Sequence, residues 1–448
     1  MPVNRSVKPS EKGTVQFTLP RIEHLQLNNG LKILYVHKDN LPLLQMYLIL
    51  DSGSKYEPNN YAGLANLTAH MLDEGAGKYT ALELDEELEF LGTDLSISVN
   101  HDNVFISLLS LENNAEKSLE LFSIVVQEPS FSEPDFQREK NKILTKLVQL
   151  KSEPSYLASV NFDKVLFGNS AYGNPIYGID NNIKNFKRTD LTDYYCKYFS
   201  PVNAAIMIAS SIPQNEIIDM LNKYLGNWQS GKVSPESNLP EMSSSAGLYI
   251  LHKENAPQSE IRIGHPAEGR KTKDYFAKTV MNSILGGQFT SRINLNLRED
   301  KGFTYGAHSA FYYKQDVSYF GVSTAVQTEN TAAAVSEIFK ELKNITKEIT
   351  QKELDFAKSS LIKTYPSKFE TYSQITGNLA ALHIFGLEDN YFENYISNIL
   401  KINLPEVSAA AKKNIHEEEA AIVIVGDREK IEAALENETG LKAKLLKE

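Results

Sequence analysis

The polar and apolar positions of this chain change period in a regular order, and the order occurs twice. His24–Leu27 and Leu31–His37 flank Asn28-Asn29-Gly30, a turn sequence between two short strands. Leu44–Leu50 is a third, strongly apolar strand. In Gly63–Glu74 the apolar residues Leu64, Leu67, Met71 and Leu72 recur at helical spacing and predict a buried helix over 62–73. Thr80, with Glu83 three residues on, is a capping box that starts an amphipathic helix to about Leu91. Leu95–Asn100 and Val104–Leu111 alternate as antiparallel strands joined by His101-Asp102-Asn103, read as a hairpin turn. Helices follow at Glu116–Gln127, from Pro134 to about Lys151, at Tyr156–Phe167 and at Leu191–Tyr198; then come a strand at Ala204–Ala209 and a helix at Pro213–Leu225.

At Gln229–Ser245 the composition turns to Ser, Pro and Gly, which marks a linker and a domain boundary. The pattern then begins again. Leu248–His252 and Glu260–Ile263 are strands, Asp274–Leu285 is a helix, Thr304–Tyr313 and Tyr319–Thr328 pair as a hairpin, and Thr331–Ile345 is a helix. Phe105–Phe122 matches Phe320–Phe339, Ser132–Leu147 matches Thr350–Tyr365, and Leu191–Ser210 matches Leu404–Gly426, in the same order. A duplicated α+β unit of roughly 200 residues follows. The expected organisation is an arm at 1–19, a first domain at 20–228, the linker at 229–245 and a second domain at 246–440. Each domain is expected to be a mostly antiparallel sheet with helices packed on one face.

Composition adds mainly exclusions. The net charge of −11 over 448 residues is spread along the chain, which argues against nucleic acid as a partner. The one cysteine, Cys196, rules out an intrachain disulfide and a thiolate metal cluster; its aromatic surroundings predict a small core residue. No apolar run is long enough to span a membrane. Met1–Phe17 carries no signal peptide, so the expected compartment is the cytoplasm, or the periplasm if the N-terminus was trimmed.

Two stretches carry candidate chemistry. In Gly63–Glu74, Asn66, Ala69 and His70 stand where the inverted zinc-protease motif H-x-x-E-H has its first His, its Glu and its second His. Catalytic zinc needs three protein ligands, a water position and a base. Asn66 is a poor ligand, Ala69 offers no base, and His70 alone cannot hold the ion; by residue type His70 reads as a packed core histidine. The second stretch runs from Leu285-Gly286-Gly287 to Leu297-Arg298-Glu299-Asp300-Lys301-Gly302-Phe303-Thr304-Tyr305. By spacing alone Arg298 is a surface residue and Tyr305 a core residue.

Leu64–Gly75, after a strand ending in Gly53-Ser54, resembles the M16 peptidase family of insulinase, pitrilysin and mitochondrial processing peptidase relatives, above all its small two-domain bacterial members. The resemblance runs from about residue 20 to 435 and includes the duplication. It implies a LuxS/M16 metallohydrolase-like fold. It puts the third zinc ligand at or next to Lys146, in the helix after Pro129-Ser130-Phe131, and the accessory acid at Glu139. First His, base and third ligand are thus all replaced, so no metal is expected in this chain. The loop Tyr172-Gly173-Asn174-Pro175 resembles the family's substrate-side His-Pro loop with Asn for His, and Asn203 and Gly426-Asp427 also fit. The phrase around Arg298 and Tyr305 resembles the second-domain signature, in which an Arg and a Tyr reach across to the zinc domain, bind the substrate backbone and stabilise the tetrahedral intermediate. Gly286 and Gly287 belong with them to substrate binding. The resemblance therefore implies a catalytically incomplete subunit that complements a zinc-bearing M16 paralogue in a heterodimer acting on peptides. The alternative is a non-proteolytic scaffold derived from the same family.

Overall fold

The protein is described here by a computed structural model, which covers residues 20–229 and 246–447; the arm at 1–19 and all of the linker but Gln229 lie outside the described residues. Six strands form the first sheet: β1 (Ile22–Gln26), β2 (Lys32–His37), β3 (Leu43–Leu50), β4 (Asp94–Val99), β5 (Val104–Leu111) and β6 (Ala204–Ser210). Their order is β1-β2-β6-β3-β5-β4. The second sheet holds β7 (Gly247–His252), β8 (Gln258–Pro266), β9 (Ala307–Tyr313), β10 (Ser318–Gln327), β11 (Ala421–Gly426) and β12 (Ala443–Leu445), in the order β12-β7-β11-β8-β10-β9. The two orders superimpose strand for strand except at one outer edge. There β1 comes from the start of the chain and pairs antiparallel, while β12 comes from its end and pairs parallel. Among the described residues the only other parallel pairs are β2 with β6 and β7 with β11.

The helices of the first half that matter below are α1 (Leu64–His70), α2 (Ala81–Leu91), α3 (Ala115–Gln127), α4 (Glu133–Ser152) and α5 (Pro154–Phe167). The capping box of Thr80 and Glu83 opens α2. Ser132 caps α4, with Pro134 in its first turn. The predicted helix over 62–73 is shorter than its apolar period. It starts at Gly63, whose φ of +101° suits glycine, and after His70 the amides of Met71 and Leu72 turn back to Thr68 and Ala69 in a tightened last turn.

The central strands β6 and β11 are buried on both faces. Along β6, Ala204, Ile206 and Ile208 belong to the core under the first half's own helices. Ala205, Met207 and Ala209 point the other way, into a core shared with the second half. The helix on that far face is Tyr372–Phe385, from the second half, which packs on β3 and β6. Reciprocally, α5 of the first half packs on β8 and β11 of the second, through Leu157, Ala158, Phe162 and Leu166 against Val423, Val425 and their neighbours. The two halves therefore exchange equivalent helices, which explains the near-continuous apolar runs of β6 and β11.

Cys196 departs from the core position expected of it. In the helix Arg188–Tyr198, Leu191, Tyr194 and Tyr198 face inward, and Cys196 falls on the opposite side and is exposed.

Candidate functional site

The amide end of α1 is held by a carboxylate. Glu57 accepts from the backbone N–H of Ala65 at 2.8 Å and of Gly63 at 3.1 Å. Burial pushes its carboxyl up to about 8, against the lowering effect of these amide donors. On the helix, Asn66 is buried and its Nδ2 has no acceptor, Ala69 is fully buried, and His70 is half-buried. Desolvation lowers the His70 pKa, with Glu139 opposing and Lys142 assisting, so burial favours its neutral form.

Beyond the end of α1, acids and bases neutralise one another. Glu139 on α4 is only 3 % exposed. The ammonium of Lys142 lies 3.1 Å from its Oε2 and 3.9 Å from Glu74 Oε1. Arg138 pairs with Glu74 and Asp135 and approaches Glu139 at 3.5 Å. Desolvation, with the neighbouring Glu139, raises Glu74 to about 7, and desolvation raises Asp73 to about 6. Lys146 is exposed, and the ammonium set against Glu139 is that of Lys142, one turn earlier. The residues present do not fit a zinc ion. Asn66 and Ala69 bring no suitable donor, and the nearest buried acid, Glu139, already carries two side-chain cations. Among the described residues no group of three or more His, Cys, Asp or Glu is arranged to hold a metal.

A cavity of about 330 Å³ opens beside α1. Asn66 and His70 form one wall, Val99 at the end of the edge strand β4 another, and Tyr156 and Val160 on α5 a third. The loop that closes it, Asn174–Gly178, is seated by a close backbone approach: a Cβ on Gly178 would lie 2.5 Å from Ala62 O and 2.7 Å from Gly63 Cα, at a φ of +89°. His101 Nε2 donates to Asn174 O at 3.1 Å. Burial, helped by the charge of Lys314, depresses the His101 pKa to about 3, so its imidazole is neutral.

The second-half stretch lies elsewhere. Gly286 is packed so tightly on Ser309 that a Cβ would meet its Oγ at 2.4 Å, and Gly287 is similarly close to Asn282. Gly286 fixes the turn against β9 and Gly287 fixes it against the end of the helix Tyr275–Leu285, both by close approach. Arg298 sits in a π-helical turn, Leu295–Asp300, and its guanidinium stacks 4.3 Å from the ring of Phe289. Tyr305, after Gly302 with its φ of +67°, is 92 % exposed, not the core tyrosine that spacing alone suggested. Neither Arg298 nor Tyr305 lines the cavity beside α1.

Sequence reasoning missed a buried ionic junction between the halves. Lys55 Nζ lies 3.1 Å from Asp102 Oδ1 and 2.9 Å from Asp316 Oδ2, and donates to Gln315 Oε1 at 2.7 Å. Tyr172 donates to Asp102 Oδ1 at 2.6 Å, and the amide of Gln315 to Asp102 Oδ2 at 3.0 Å. The segment His101-Asp102-Asn103, read as a hairpin turn, does connect β4 to β5, but all three residues are buried because the β9–β10 turn packs on it. No local pattern marks such a pairing, since Lys55 and Asp316 are 261 positions apart.

Comparison with known proteins agrees with this architecture. Residues 32–180 match the family profile described as insulinase (peptidase family M16), and residues 185–361 match that of the peptidase M16 inactive domain. The chain is 26% identical over 416 residues to a Helicobacter pylori protein named non-peptidase homolog YmxG, covering 91% of this chain and 95% of that one. It is 21% identical over 434 residues to the mouse mitochondrial-processing peptidase subunit beta, covering 93% and 87%. A Pseudomonas fluorescens crystal structure described as a peptidase M16 inactive domain superposes with a TM-score of 0.85 at 26% identity, over 90% of this chain and 98% of that chain. Two matched M16 domains, the duplicated six-stranded sheets and the replaced ligand positions lead to one assignment: the chain belongs to the M16 peptidase family, as a two-domain homologue without the H-x-x-E-H zinc motif.

Proposed function

We propose that this chain is a catalytically incomplete M16 subunit that pairs with a zinc-bearing M16 partner and helps it to bind and cleave peptides. The carrying observation is Tyr305. A tyrosine that is 92 % exposed has almost nothing in its own chain to hold it, and it stands at the end of the segment that carries Arg298, whose guanidinium rests on the exposed ring of Phe289. The exposed phenol of Tyr305 and the half-buried guanidinium of Arg298, which lies 3.7 Å from Glu299 Oε1, are donors suited to a peptide carbonyl and to the oxyanion that forms from it on a partner's metal. Zinc would be supplied by the partner. Gly286 and Gly287 would set the backbone beneath this pair.

The test is co-expression with an M16 paralogue carrying an intact H-x-x-E-H, purification of the complex, and assay on a fluorogenic peptide. Arg298→Ala is expected to lower kcat/KM by about two orders of magnitude, the range found for single oxyanion donors. Tyr305→Phe is expected to lower kcat with little change in KM. If both variants leave the complex as active as the unaltered one, the complementing role is wrong.

A second reading, a scaffold with no part in hydrolysis, draws on the internal neutralisation of Glu139 by Lys142 and Arg138. Under that reading the chain forms stable complexes in which neither substitution alters any peptidase activity.

A further inference from the structure

The two halves close equivalent spaces differently. In the first half α3 packs beside the helix Gln214–Leu225, and in the second the helix Thr331–Lys347 packs beside Arg428–Thr439. Gln214–Leu225 and Arg428–Thr439 each have twelve residues, bury an isoleucine and a leucine at the same places (Ile217 and Leu221, Ile431 and Leu435) and are followed by a glycine. On that register the buried Leu225 and Trp228 of the first half correspond to Thr439, half-buried, and Lys442, exposed. The register of the other helix pair is set by the three-residue turns Glu112–Asn114 and Thr328–Asn330 that precede them. Gln127, whose Nε2 donates to Tyr224 O at 2.9 Å, then corresponds to Lys343.

Where the first half has an apolar plug, the second has a cavity of about 370 Å³. Val335 and Ile422, both fully buried, and the half-buried ring of Phe339 form its apolar lining. Its charged lining is Lys340, Lys343, Lys347 and Glu438. Lys340 is paired with Glu337 at 2.8 Å. Among the described residues no ion pair or side-chain hydrogen bond engages Lys343, Lys347 or Glu438. Two ammonium groups against one carboxylate leave an excess of one positive charge beside an apolar space. That balance suits a monoanion with an apolar body and disfavours a cation. The volume is at the small end of ligand cavities, and the groups it lacks are a leucine and an indole, so one compact ring system refills it.

We propose that this cavity is a binding site for a small aromatic monocarboxylate, whose ring takes the space that Leu225 and Trp228 fill in the first half and whose carboxylate meets the ammonium groups of Lys343 and Lys347. Phe339, at the position of Ser123 in α3, gives the ring an aromatic wall where the first half has a serine. The site lies wholly in the second half. It uses neither Arg298 nor Tyr305 nor any residue of the cavity beside α1, so it stands or falls separately from the complementing role.

The purified full chain is titrated calorimetrically with indole-3-propionate, with its uncharged amide and with propionate. Indole-3-propionate is expected to bind saturably with a Kd below about 1 mM. The amide is expected to bind about tenfold more weakly, and propionate, which lacks the ring, not measurably. Lys343→Gln with Lys347→Gln is expected to weaken the carboxylate about tenfold and to leave the amide as it was, a selectivity that a merely structural role would not produce. Thr439→Leu with Lys442→Trp, which rebuilds the plug, is expected to abolish binding. Lys146→Gln, at an exposed lysine of the first half, is expected to leave it unchanged. Hydrogen exchange should show new protection along 335–347 and 438–441. Absence of saturable binding (the result if another segment of the chain already fills the cavity), equal affinity for acid and amide, unchanged affinity after the two lysine substitutions, or binding that survives the rebuilt plug would overturn the proposal. If the rebuilt plug fails to fold, the lysine variant and the exchange map decide the question.

Discussion

Lys55 of the first half meets Asp316 of the second at 2.9 Å, with both side chains largely out of water. Asp102 approaches the same ammonium at 3.1 Å, so one cation stands between two carboxylates. Burial works against the Lys55 charge, but Asp102 and Asp316 outweigh it and hold the group above its ordinary value. Removing the cation leaves two buried carboxylates facing each other. Lys55→Met is therefore expected to cost about 3–5 kcal/mol, measured as a shift in the urea midpoint. Adding Asp102→Asn and Asp316→Asn should recover part of that loss. A Lys55→Met chain as stable as the original would show that the junction does not hold the halves together.

His101 predicts an acid sensitivity. Its folded-state pKa, about 3, lies below the ordinary histidine value, so the folded chain resists the proton that the unfolded chain accepts. The stability this contributes is fully present above about 6.5 and is lost as pH falls from there towards 3. His101→Gln keeps a side-chain donor for Asn174 O and should flatten stability across that window. Urea midpoints at several pH values, compared between the two chains, test this; parallel curves would contradict it.

Glu57 acts with the opposite sign. Its carboxyl is pushed up to about 8, so the folded chain holds the proton more tightly than the unfolded one. That contribution is fully present below about 4.5 and is lost as pH rises through 8. Glu74, at about 7, and Asp73, at about 6, act in the same direction. Glu57→Gln should therefore gain on the unaltered chain as pH goes from 5 to 8. Thermal melts that show no such relative gain would place the carboxylate in a more polar setting than its burial indicates.

Gly178→Ala tests how the cavity is closed. The added methyl would meet Ala62 O and Gly63 Cα in a left-handed backbone conformation. The expected loss is about 1–3 kcal/mol from strain, with more from the displaced loop. Hydrogen exchange should loosen at 174–178 and at the start of α1. Unchanged exchange there would mean that the loop tolerates the shift without releasing α1.

Zinc offered to the purified chain should not bind stoichiometrically, because Asn66, Ala69 and an exposed Lys146 provide no ligand set and Lys142 already stands against Glu139. Equilibrium dialysis with metal analysis measures this directly. One tightly held zinc per chain would require a ligand set around His70 that differs from the arrangement described here.

Local sequence determined most of the secondary structure. The alternation in 94–111, the capping boxes at Thr80 and Thr350 and the turn at Asn28-Asn29-Gly30 depend on near neighbours, and each fold element lies within a few residues of its pattern. The duplication was legible for the same reason, since repeated patterns are local patterns seen twice. Which residues stand at the H-x-x-E-H positions could also be read directly, because that depends on residue identity at fixed spacing. Three things were decided only by tertiary structure. The exchange of α5 and Tyr372–Phe385 between sheets is invisible locally, because an apolar strand face does not reveal which half covers it. The junction of Lys55, Asp102 and Asp316 exists only because two distant turns are packed together and excluded from water, which makes their charges interdependent. And α1, first legible as a degraded metal helix, became the wall of a cavity with an unpartnered amide once the loop at 174–178 was laid across it, a close approach permitted by two glycines with no side chains to keep the backbones apart.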